Sequence, residues 1–180
     1  MRQAAHLIAA GNANIAIQGL SGWQEQTLTE TMTAALVFER DVEKRLRLAE
    51  LRPTRQRIAL AALLFSKGDR HITAEDLHLE AGSARIPVSL ATVYNTLHQF
   101  TSAGLLRIVA AEGSRTYFDT NTSDHHHFIV EGDNTVIDID QGRVTVGNLP
   151  EPPEGMEIAN VDVIVRLRRK STNEPAKNQP

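Results

Sequence analysis

Residues 89–119 read SLATVYNTLHQFTSAGLLRIVAAEGSRTYFD. Val93, Leu97 and Phe100 recur at i, i+4 and i+7, so a helix beginning after a Ser89 cap buries one stripe and closes at Gly104. LLRIVAA and RTYFDT then flank Glu112-Gly113, the pattern of two short strands joined by a turn. Three more helices are expected upstream. One runs from Phe38 with Phe38, Val42 and Leu46 on one face, and Pro53 ends it. A second runs from Arg55 to Lys67, with Ile58, Leu63 and Leu64 inward and Gly68 as its stop. Thr73 caps a third, TAEDLHLEAGSA, with Asp76 in its first turn. Helices followed by a β-hairpin are the order of a winged helix-turn-helix.

The outer face of the 89–104 helix carries Thr92, Tyr94, Asn95, His98, Gln99 and Ser102, and no acid. Amide side chains can pair with adenine in the major groove, and an aromatic ring can pack on a thymine methyl. The Ser89 cap and the helix N-terminus suit a phosphate. The N-terminal part of such a helix reaches base edges, which favours Thr92, Tyr94 and Asn95. Arg52, Arg55 and Arg57 stand at the start of the preceding helix, where they can touch the DNA backbone. Taken alone, this face is better explained as that of a solvated amphipathic helix; the helix order and the wing shift the reading towards DNA.

The chain has 180 residues, enough for one domain or two small ones. Hydrophobic residues make up 41% and aromatics 4%, so the core is aliphatic. With no cysteine, disulfides, Cys-type zinc sites and thiol nucleophiles are excluded, and a reducing compartment fits. No run approaches the ~18 apolar residues of a membrane span, and the first twenty residues make a poor signal peptide. The expectation is a cytoplasmic protein with no membrane partner. Residues 39–118 hold 12 Lys/Arg against 9 Asp/Glu, and residues 119–170 hold 5 against 10. A basic part followed by an acidic, His-bearing part suits a nucleic-acid binder joined to a cation site.

Beyond the hairpin the pattern is β-rich. HHHFIV and TVIDID flank a tight turn at Gly132-Asp133-Asn134; QGRVTV and VDVIVRLRR read as further strands. Residues 151–155 open a loop or short helix. The expected domains are a weakly patterned N-terminal extension over 1–38 whose order the sequence leaves open, a winged-helix domain over 39–118, a second domain over 119–170 and a disordered tail over 171–180.

Three consecutive histidines stand in this second part. In a strand, His125 and His127 share a face and His126 points away. Asp138 and Asp140 share a face of the next strand. A two-residue loop at Asp133-Asn134 opposes His127 to Asp140 and puts both sets on one side; a three-residue loop separates them. The sequence leaves both open. Two imidazoles and a carboxylate suit Fe, Mn or Zn, and a solvated strand end is the competing explanation.

LRPTRQRIALAAL, HITAEDLHLEA, VSLATVYNTLHQFTSAGLL and GSRTYFD, followed by DHHHFIV, resemble the ferric uptake regulator family of bacterial metal-responsive repressors, over about residues 40–168. The resemblance implies an α+β protein: a winged helix followed by a small α/β dimerisation domain, assembled as a homodimer or higher even oligomer on a double-stranded DNA operator. It implies a regulatory divalent metal held by His71, Asp119, His125, His127 and Asp138. It places Tyr94 in the reading helix and Arg52 near the minor groove, and the family's frequent Arg after the Tyr is here Asn95. Structural zinc pairs of cysteines, which the family often carries, are absent; the first would fall at Val130 and Asp133. Absent cysteines with a triple-His run resemble the iron response regulator branch of alpha-proteobacteria, which responds to haem, and so make His125, His126 and His127 haem candidates.

The resulting expectation is a transcriptional regulator of iron and haem homeostasis and not an enzyme. A peroxide or manganese sensor on the same scaffold is the alternative. A mononuclear metalloenzyme is a third reading, disfavoured because five protein ligands leave little open coordination.

Overall fold

The structure, a computed structural model, describes residues 22–110, 115–133, 135–140 and 142–170. The chain divides into two compact units, the first ending at Thr122 and the second starting at Ser123. No helix among the described residues is long and apolar enough to cross a membrane.

The first unit opens with helix α1 (Gly22–Leu48), which starts well ahead of the expected Phe38. Residues 22–38, read as part of a loose extension, are helical, while residues 1–21 lie outside the described residues. Val42 and Leu46 are buried, as their spacing requires. Pro53 does not end α1. The helix closes earlier, with Glu50 at φ 57° and bonds from Glu50 N to Arg47 O (3.0 Å) and Leu51 N to Leu46 O (2.9 Å). An ordinary residue takes the left-handed position that Gly more often holds.

Helices α2 (Arg55–Phe65), α3 (Ala74–Ser83) and α4 (Leu90–Ser102) follow, each with the same N-terminal device. Thr54, Thr73 and Ser89 adopt extended backbone and accept from the amides of Arg57, Asp76 and Thr92. Gly104, at φ 71°, closes α4 as expected, through Gly104 N to Thr101 O (3.0 Å) and Leu105 N to Phe100 O (2.8 Å). Arg85 closes α3 in the same way at φ 57°.

Strands β1 (His71–Ile72), β2 (Arg107–Ala110) and β3 (Thr116–Asp119) form an antiparallel sheet in the order β1-β3-β2. β2 and β3 are the expected wing; its Glu112-Gly113 turn lies outside the described residues. Sheet and helices enclose one core in which Leu60, Leu64, Leu77, Val93, Leu97, Phe100 and Phe118 are fully buried. Each such side chain contributes roughly 1.5–3 kcal/mol relative to exposure. Arg70 ties the sheet to that core. Its guanidinium grips Glu80 of α3 at 2.8 and 3.0 Å, and its backbone exchanges bonds with Thr120 after β3.

The second unit is a three-stranded sheet ordered β5-β4-β6, with β4 (His126–Val130) antiparallel to β5 (Thr135–Ile139) and parallel to β6 (Ile164–Leu167). β4 and β5 pair Val130 with Thr135 and His127 with Asp138, which leaves four residues of sequence between the paired strands. Neither expected loop length occurs. The four-residue connection keeps the parity of the shorter one, so the His and Asp faces coincide, with Asp138 rather than Asp140 opposite His127. QGRVTV forms no strand among the described residues: its alternating valines find no neighbouring strand in the chain. VDVIVRLRR contributes only its centre, β6. Strands and loops are the only elements of this unit among the described residues, and residues 151–155, read as a loop or short helix, form a loop.

Arg85 holds a left-handed conformation that costs an L-residue about 1–2 kcal/mol, much of which glycine avoids. Arg85→Gly should therefore raise the unfolding free energy by roughly 0.5–1 kcal/mol, seen as a higher urea midpoint at an unchanged slope. A lowered midpoint would mean that the Arg85 side chain stabilises the cap.

Candidate metal centre and nucleic-acid interface

Two groups of His and Asp side chains are built by strand pairing, one in each unit. In the first, β1 pairs with β3 so that His71 lies directly across from Asp119. Their Nε2 and Oδ2 atoms stand 3.6 Å apart, and the Asp119 side chain has no exposed surface. Asp119 also accepts the amide of Asn121 on Oδ1 at 2.8 Å, which aims the other oxygen at His71. A carboxylate is buried in this way only when it is hydrogen-bonded and faces a cation or proton.

In the second unit His125 and His127 share the buried face, with ring centroids 4.5 Å apart. Asp138 Oδ1 lies 3.3 Å from His125 Nε2 and 3.8 Å from His127 Nε2. The Nδ1 of His125 lies 2.8 Å from the Ser123 carbonyl. A carbonyl only accepts, so this nitrogen carries the proton and Nε2 presents its lone pair towards a carboxylate. Two acceptors 3.3 Å apart repel unless a cation or a further proton stands with them. A ligating histidine commonly anchors its other ring nitrogen on a backbone carbonyl, which fixes tautomer and ring orientation. The donor set therefore fits a divalent transition ion.

His126 points to the opposite face, as its place in the strand requires. There its Nδ1 accepts the Val163 amide at 3.4 Å.

The α4 surface differs from the expected one. Val93, Thr96, Leu97 and Phe100 are buried, and Thr92, Tyr94, Asn95 and His98 spread around the rest of the helix. Asn95 is exposed, while Tyr94 is half-buried and packs its ring near His98. Ser89 and Thr92 are occupied with capping, their hydroxyls 2.9 Å apart. His98 is exposed, and one edge of its ring lies against Phe118 with centroids 5.5 Å apart. The face is not free of acid: α3 brings Glu75 to it, and the Tyr94 hydroxyl donates to the Glu75 carboxylate at 2.7 Å. With the two nineteen positions apart, no local pattern reveals the pair. The Tyr94 bond holds the Glu75 carboxyl below the usual carboxylate range, and the same bond pushes the Tyr94 phenol up. Arg52 and Arg55 are exposed, whereas Arg57 turns inward onto Gln99 and the Arg52 carbonyl.

A four-helix head whose winged sheet carries His71 and Asp119, followed in the chain by a small sheet with further histidine and aspartate donors, defines a winged-helix regulator with metal-ligand chemistry. The sequence profile of the Ferric uptake regulator family matches residues 49–166, and the chain belongs to that family. It is 31% identical over 127 residues to the Ferric uptake regulation protein of Pseudomonas aeruginosa, covering 69% of this chain and 95% of that protein. It is 36% identical over 94 residues to the Peroxide-responsive repressor PerR of Staphylococcus epidermidis, covering 52% and 61%. The solved Ferric uptake regulator from Pseudomonas aeruginosa with manganese matches at TM-score 0.55 and 26% identity, covering 71% of this chain and 97% of the other.

The Glu75–Tyr94 bond has a direct optical readout. The Tyr94 phenol should ionise above the ordinary tyrosine range, and Glu75→Ala should bring it down, because both the hydrogen bond and the adjacent negative charge favour the neutral phenol. A pH titration of phenolate absorbance, with Tyr94→Phe to assign the transition, measures this. An identical titration with and without Glu75 would show that the bond does not form in solution.

Proposed function

We propose that this chain is a cytoplasmic, homodimeric transcriptional repressor that binds a double-stranded DNA operator and responds to one divalent ion held by His71, Asp119, His125, His127 and Asp138. The observation that carries the proposal is the arrangement of His125: its Nδ1 proton is spent on the Ser123 carbonyl while its lone pair points at Asp138. The chemistry of the two groups supports the rest. Each offers only two or three donors, fewer than the four to six that Zn, Fe or Mn takes.

The dimer reading is supported by the second unit's apolar surface. Ile137, Val146, Leu149, Met156, Ile158 and Leu167 are exposed, too much apolar area for so small a sheet to leave in water. A regulatory and non-enzymatic role is supported by the family and by a ligand set that leaves little open coordination. Iron at the same ligands admits peroxide sensing, which hydrogen peroxide treatment of the iron-loaded protein separates from simple metal response.

Haem, suggested by the His125–His127 run, is the second reading. His126 alone stands outside the proposed ion set. In the neutral ring, accepting the Val163 amide on Nδ1 puts the proton on Nε2, so haem ligation through Nε2 requires that bond to break. The divalent ion is therefore the preferred effector, and a haemin absorption titration of His126→Ala distinguishes the two.

Equilibrium dialysis against Mn, Fe and Zn should give one tight ion per chain. His127→Ala and Asp119→Asn should each weaken it by about a hundredfold or more, while the exposed Asp140→Asn leaves it unchanged. Retention of the ion by both ligand variants would remove the site from the account. Tyr94→Ala should weaken binding to a selected duplex much more than to random DNA, because it removes a base contact and not a phosphate contact.

A further inference from the structure

Arg57 carries a charge at the proposed DNA face but does not present it outward. Its Nη1 donates to the Arg52 carbonyl at 2.8 Å, and its Nε and Nη2 donate to the Gln99 side-chain oxygen at 3.1 and 2.7 Å. Three segments meet in one guanidinium: the linker before α2, the first turn of α2 and the third turn of α4. Guanidinium has donors only, so the Gln99 amide must turn its oxygen inward and its NH₂ outward.

From this geometry we infer that Arg57 is a positioning residue of the DNA interface, not a phosphate contact: it ties the Arg52 segment to the reading helix through Gln99. The inference rests on the reading that α4 and Arg52 engage DNA. A phosphate contact by Arg57 would require it to abandon two charge-assisted bonds to Gln99, among the stronger hydrogen bonds a surface makes. Arg52 differs in kind. Its backbone carbonyl is fixed by Arg57 and by the Thr54 amide at 2.9 Å, while its side chain is exposed and free to reach out. A linker residue and a helix in the major groove must engage one duplex at the same time. Fixing their spacing before DNA arrives removes an ordering cost from binding.

The test uses a duplex selected from a random pool by the parent protein, and a random-sequence duplex, with metal-loaded full-length chains. Arg57→Ala and Gln99→Ala should each weaken selected binding by about tenfold, and the double variant no more than either alone, since both remove one linkage. The dependence of log affinity on log salt should keep the parent slope in both, whereas Arg52→Ala should lower it by about one. Arg52→Ala should also lose part of its effect in the Arg57→Ala background. A slope reduced by about one in Arg57→Ala, additive losses, or an unaffected Gln99→Ala would overturn the inference. Gln99 is exposed, so Gln99→Ala stays informative even where Arg57→Ala fails to fold. The Tyr94→Ala control separates the levels: if it leaves affinity unchanged, the α4 reading itself fails, and if it weakens binding while Gln99→Ala does not, only the role of Arg57 fails.

Discussion

The pairing of β1 with β3 is the constraint on which the first unit depends. β1 is two residues long and cannot persist as a strand alone. It holds because Arg70 clasps Glu80 on one side and Thr120 on the other, so that the residues flanking His71 are fixed before its ring is considered. Three consequences come from that one pairing. The hairpin becomes a three-stranded sheet, Phe118 is pressed into the helical core, and His71 is delivered across the ladder to Asp119. A buried carboxylate is thereby placed at the chain's exit from the head, three residues before the unit ends.

The second unit is organised around the central strand β4. Its alternation sends His127 and Ile129 to one side and His126, Phe128 and Val130 to the other. The buried side is unusual in carrying two imidazoles, and the polar partners follow from backbone geometry: Ser123 supplies a carbonyl and β5 supplies Asp138. A sheet lacking cysteine pairs has no structural zinc of that type to hold it, so its fold rests on β4 pairing with both neighbours and on whatever covers its apolar surface.

On the helical side, the surface proposed to read DNA is already hydrogen-bonded to itself. Tyr94 gives its hydroxyl to Glu75, and Gln99 gives its oxygen to Arg57. These bonds narrow what each residue can offer. Tyr94 is left with its ring for contact with a base, and Gln99 with its NH₂ donors. Glu75 adds a negative charge that disfavours indiscriminate phosphate binding. In the proposed reading of DNA, selectivity at this face would come from constraint as much as from the residues displayed.

The sequence by itself determined the helix caps at Thr54, Thr73 and Ser89, the Gly104 stop, the buried stripe Val93–Leu97–Phe100, the wing strands and the separation of His126 from its neighbours. All of these are local, set by one residue's conformational preference or by the period of a helix or strand. Where an ordinary residue took a left-handed cap, as at Glu50, even local reasoning failed, because composition does not mark it. The register that faces His127 with Asp138, the meeting of His71 with Asp119, and the engagement of Tyr94 by Glu75 and of Arg57 by Gln99 were decided only by tertiary structure. Each depends on contacts between segments distant in sequence or on a turn length that flanking residues do not specify. The physical reason is the same throughout: a side chain's direction is fixed by its own element, but its partner is fixed by how elements pack.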